Sequence, residues 1–95
     1  MNYPGERKWL TDWLAEHETR SDTAPYSIVL FAWSGDVPTW RALAAYLYEH
    51  DAMTYFRATA ANIQSEARRI DRNATQASVV LLEHGKEYQV EEFDL

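Results

Sequence analysis

Apolar positions along the chain change period several times, and each change predicts an element. Between Glu6 and His17 they fall at Trp9, Leu10, Trp13 and Leu14, while Glu6, Arg7, Asp12, Glu16 and His17 take the remaining sides. That is the stripe of an amphipathic helix, following a Tyr3-Pro4-Gly5 lead-in. Two tryptophans on one stripe suit either the cover of a sheet face or a binding surface. The polar run from Glu18 to Pro25 reads as a connector. From Ser27 to Trp33 apolar and β-branched residues are continuous, which predicts a strand opening at Tyr26 and buried on both faces. The pattern breaks at Ser34-Gly35-Asp36. Beyond Pro38, Trp40, Leu43, Ala44 and Leu47 recur at i, i+3, i+4, i+7, predicting a helix to about Asp51 with Pro38 in its first turn and Asp36 or Thr39 as cap.

Ala52 to Thr59 is rich in aromatic and β-branched residues with partial alternation, so a second strand is expected there. Joined to the first by a helix, it should lie parallel in a right-handed crossover. Ile63, Ala67 and Ile70 mark one side of a short helix over Ala60–Asp71. Ser78–Leu82, a turn at His84-Gly85-Lys86 and Tyr88–Phe93 then spell a β-hairpin. The expected architecture is α/β: a three-layer sandwich with a four-stranded mixed sheet and about three helices, in the order α-β-α-β-α-β-β. Residues 1–95 form a single domain in this reading.

Composition narrows the chemistry. The chain has 95 residues, of which 46% are hydrophobic and 14% aromatic, so a packed globule is expected rather than disorder. Its formal charge is −6, and its only local basic pairs are Arg7-Lys8 and Arg68-Arg69, a poor match to a phosphate backbone. No nucleic-acid partner is expected. There is no cysteine, which removes disulfides, thiolate zinc sites and thiol redox chemistry. His17, His50 and His84 each stand apart from other ligand-type residues, so no metal or cofactor is expected and the histidines read as solvated. No apolar run is long enough for a membrane helix, and the N-terminus lacks the apolar segment of a signal peptide, which together point to a cytoplasmic protein without membrane contact.

The stretch Tyr26–Leu47, with Phe31-Ala32-Trp33 at a strand end and Asp36-Val37-Pro38-Thr39 opening the next element, resembles the active-site segment of the thioredoxin-like superfamily. That family has Cys-Gly-Pro-Cys where this chain has Asp36-Val37-Pro38-Thr39, so only the proline is kept. Leu30 stands where redox-active members carry a buried acid, a coherent loss once no thiol needs a proton moved. Glu83-His84-Gly85-Lys86 is similar to the turn of the family's closing hairpin. Ala77 occupies the place of its cis-proline, and a cis bond before a non-proline residue costs about 2.5 to 4 kcal/mol, so a trans peptide is expected there.

What the resemblance implies is a redox-inactive, non-catalytic module that works by binding protein, as an adaptor, assembly chaperone or regulatory subunit. Its contact loop would comprise Trp33, Asp36, Val37, Pro38 and Trp40. The family's last helix has no counterpart after Phe93, so a sheet face bearing residues such as Val79, Leu81, Tyr88 and Val90 is expected to lack cover and to pair with a second copy. The alternative is a small acidic inhibitor that blocks a basic or nucleic-acid-binding surface, for which Glu87, Glu91, Glu92 and Asp94 are the nearest thing to an acidic array. An enzyme is not expected. There is no phosphate-binding glycine loop, and Asp36 with His84 is the one acid–histidine pair to test for convergence.

Overall fold

The continuous apolar run around Val29 forms the strand its composition predicts, and everything else is arranged beside it or over it. The computed structural model describes residues 7–17 and 23–95. Its elements are α1 (Lys8–Glu16), β1 (Tyr26–Trp33), β2 (Thr39–Tyr46), α2 (Glu49–Ala61), α3 (Ile63–Ile70), β3 (Gln76–Glu83) and β4 (Lys86–Asp94). The lead-in before Glu6 and most of the Glu18–Pro25 connector lie outside the described residues. The four strands form one sheet in the order β2-β1-β3-β4, with every neighbouring pair antiparallel.

Two expected elements exchange character. The segment after Pro38 is not a helix but β2, paired with β1 on both sides of a bulge at Leu43 so that Phe31 faces Trp40 and Tyr26 faces Tyr46. The segment 52–59 is not a strand but the body of α2. Alanine and leucine favour helix locally, yet eight residues hold only about two turns, and pairing with the fully buried central strand outweighs that preference. Gly35 and Pro38 therefore belong to a hairpin loop, residues 34–38, rather than to a helix start. In α2 the aromatic and β-branched residues are aligned by a helical stripe: Ala52, Phe56 and Thr59 are buried. That stripe continues through Ile63, Ala67 and Ile70 of α3, which turn toward the same core.

The order is thus α-β-β-α-α-β-β with an all-antiparallel sheet. The expected mixed sheet and parallel crossover are not what the chain builds. The closing hairpin does form as read. His84 and Gly85 take φ of 52° and 79°, the positive values that both central residues of a two-residue type I′ turn require. No cis peptide bond occurs among the described residues, so the peptide before Ala77 is trans.

The strands separate two cores. On one side α1 packs Leu10 and Trp13 onto Val29, Phe31, Val80 and Leu82. On the other, α2 packs Ala52 and Phe56 onto Ile28, Leu30, Val79 and Leu81. A third contact of small residues, Ala32, Ala67, Ala74 and Ala77, lets α3 approach the sheet closely. The expected uncovered face does not arise, because Val79 and Leu81 are wholly buried beneath α2 and Val90 packs against the α1 core. Tyr88 alone stays exposed, and its hydroxyl donates to the Glu49 carboxylate at the start of α2. Among the described residues no helix is long and apolar enough to cross a membrane.

Candidate functional site

All four tryptophans of the chain meet on the α1 side of the sheet. Trp9 and Trp13 are one helical turn apart on α1, so both rings point down onto β1. Trp33 ends β1, and Trp40 enters the same side from β2 because it pairs opposite Phe31. Their rings meet edge to face: Trp9 with Trp33 at 4.8 Å, Trp13 with Phe31 at 5.4 Å and Trp13 with Trp40 at 5.2 Å between centroids. Each such pair contributes about 0.5 to 1.5 kcal/mol beyond burial, so the cluster fixes ring orientations as well as positions.

His17, read from the sequence as solvated, belongs to this cluster. It lies one turn beyond Trp13 and stacks on it at 4.5 Å and 14°, while Trp40 meets it edge-on at 4.8 Å. Its Nδ1–H donates to the Trp13 carbonyl at 2.9 Å, satisfying one of the free carbonyls at the end of α1. The i, i+4 spacing from Trp13 was the available signal, but nothing in a single helix shows that β2 would supply the third ring. His50 and His84 are exposed, and among the described residues no group of three histidine or carboxylate side chains could hold a metal ion.

Four of the five expected contact residues come together. Asp36, Val37, Pro38 and Trp40 line one side of a shallow depression of about 340 Å³, with Trp9, Asp12, Trp13, Glu16 and His17 opposite. Trp33 is not among them. It lies beyond Trp9 and lines a separate groove of about 410 Å³ between α1 and the β4 edge, together with Gln76 and Glu92. On the other flank of Trp40, a larger groove of about 620 Å³ runs between α1 and β2 over Ser27, Ala42 and Ala45. Trp13, Glu16, His17 and Trp40 border both depressions on this side. Alanines under the groove were legible only as helix formers, so their role as a low floor became apparent only with the strand assignment.

The electrostatics of this surface are acidic. Asp12 accepts from Lys8 at 2.9 Å, and that hydrogen bond raises the ammonium pKa above its ordinary value. Glu16 and Asp36 form no ion pair among the described residues. The last turn of α1 holds no basic residue, so among the described residues only the His17 N–H meets the negative end of its dipole. Among the described residues the buried Trp13 indole N–H finds no acceptor, a cost of about 1 to 3 kcal/mol carried inside the cluster.

Asp36 and His84 do not converge. Asp36 follows the Trp33 end of β1, which pairs with Gln76, whereas His84 follows Glu83, which pairs with Tyr26 at the other end. Comparison with known proteins yields no match: no family model fits the chain, and no curated protein or solved structure matches it.

Proposed function

We propose that this chain is a non-catalytic protein-interaction module whose contact surface is the β1–β2 loop together with the exposed side of Trp40. The observation that carries this is the placement of Val37, 82% exposed, and Trp40, 41% exposed, on the rim of an open aromatic depression. A large ring held in a fixed orientation and bordered by an unprotected apolar side chain is the make-up of a binding anchor rather than of a core. The reading stands on that surface and not on the thioredoxin resemblance. An acidic-mimic role has less support, because Arg7 already pairs with Glu87 at 3.0 Å and with Glu92 at 3.2 Å on β4.

The test is capture of partners from the native host by the wild-type chain, by Trp40→Ala and by Val37→Asp, followed by reassembly with the purified partner. Both substitutions should abolish a specific complex that the wild type forms. A partner bound equally by all three would refute the loop as contact surface.

A further inference from the structure

The two edges of the sheet are built differently. β4 carries Glu87, Glu91, Glu92 and Asp94, charges that discourage the addition of another strand. β2, the opposite edge, reads TWRALAAY and carries a single charge, Arg41, with neither proline nor lysine. Such an edge offers its unpaired backbone groups to an extended segment. On the α1 side β2 presents Trp40, Ala42 and Ala45, so a strand added beside it would meet a groove whose floor has almost no side chain of its own.

The groove also states what should enter it. Glu16 and the carbonyl end of α1 make its inner wall negative, and Asp36 adds a carboxylate just across Trp40. The ring of Trp40 stands at 78° to Trp13 and 73° to His17 and is 41% exposed, and an aromatic ring open to solvent attracts cations. A long side chain with a positive end matches all three features. A second copy does not, because its own β2 would offer alanines and Trp40 on this side. Arg41 lies on the opposite face, paired with Leu30 of the α2 core.

We propose that β2 is extended by a strand from a different protein, and that an arginine or lysine of that strand lies along the groove against Trp40, with its charge at Glu16 and the end of α1. This rests on the protein-binding reading above and adds the partner's chemistry to it. The occupant is a basic, extended peptide segment.

The probe is a capped peptide of alternating valine and arginine, set beside the same peptide with glutamate for arginine, titrated into the full chain. We expect saturable tryptophan fluorescence changes with the arginine peptide below about 1 mM, weakening with salt, and slowed amide exchange along β2. Trp40→Ala should weaken binding about 2- to 30-fold. Trp40→Phe, which keeps a ring and guards against misfolding, should retain most of it, and Glu16→Gln should weaken it without disturbing the fold. Equal binding of the glutamate peptide, protection of β4 instead of β2, or concentration-dependent self-protection of β2 would each overturn the inference. No binding of the arginine peptide alongside a Trp40-dependent complex with a whole protein would sink only this inference. Loss of Trp40 dependence in that complex would sink the protein-binding reading itself.

Discussion

The two faces of the sheet are closed by different means. Beneath α2 and α3, two consecutive helices lay aliphatic residues and Phe56 over Ile28, Leu30, Val79 and Leu81, and those four are fully buried. Beneath α1, nine residues of helix do the same task with tryptophans. Large rings let a short helix cover a wide strip, since each buries about 150 to 250 Å². The strip ends before the β2 edge, leaving Trp40 partly exposed beside an open groove. The centre of one face is therefore closed core, while the other is core and open aromatic surface at once, and a ring such as Trp13 serves both.

Substitutions can break that contrast. Phe56→Ala should have the largest effect, about 3 to 5 kcal/mol in urea unfolding, because a closed face cannot relax into the cavity. A loss below 1.5 kcal/mol would mean that the α2 face is not closed, a threshold set by the mildest core truncations. Trp13→Ala should cost a similar amount, but Trp13→Phe less than half as much, since the indole N–H it removes has no acceptor among the described residues to leave behind. Trp40→Ala should cost only about 1 to 2 kcal/mol, as suits a ring that is only partly buried. If it unfolds the protein instead, Trp40 is core and the division between the faces fails.

Tyrosine ionisation probes the α2 side. The hydrogen bond from Tyr88 to Glu49, then burial and the charges of Glu49 and Glu83, push the phenol up to about 12. Tyr26 is raised in the same direction, first by its hydrogen bond to Glu83. Because the folded state favours the neutral phenol, this stabilisation is complete below the unfolded value near 10 and is lost as pH rises through about 12. Absorbance titration should show a late phenol that disappears in Tyr88→Phe, and that variant should lose less stability than wild type between those pH values. An unchanged profile would rule out the contact. The smallest effect is expected at Gly35, where an added Cβ meets nothing within 4 Å: Gly35→Ala should stabilise by about 0.4 to 1 kcal/mol. A measurable destabilisation there would mean that the loop needs glycine.

Where local pattern and tertiary demand agree, the elements are readable from the chain alone. α1, β1, α3 and the hairpin around His84-Gly85 all fall where periodicity and turn residues place them. Residues 38–59 are misread because both halves carry contrary local preferences. Ala42, Ala44 and Ala45 suggest helix but are recruited by β1, and Thr54, Tyr55 and Phe56 suggest strand but follow the Ala52-Phe56-Thr59 stripe. That stripe joins the one from Ile63 to Ile70 without a change of period, a signal visible only over a window longer than either element. For the candidate site, Asp36, Val37, Pro38 and Trp40 are expected together and line one depression, and the Trp9–Trp13 stripe is open to either sheet cover or binding, whereas the placement of Glu16 and His17 depends on which strand lies beside α1.

The seam between β1 and β3 joins two halves that are each local: a hairpin of β1 with β2, and a hairpin of β3 with β4. Tyr26 and Glu83, hydrogen-bonded across that seam, are 57 positions apart. Closing so long an intervening loop is the entropically expensive event of folding, whereas each hairpin can form within microseconds. The refolding rate should accordingly be governed by residues such as Val29 and Val80, which face each other across the seam, and hardly at all by the tight turn at Gly85.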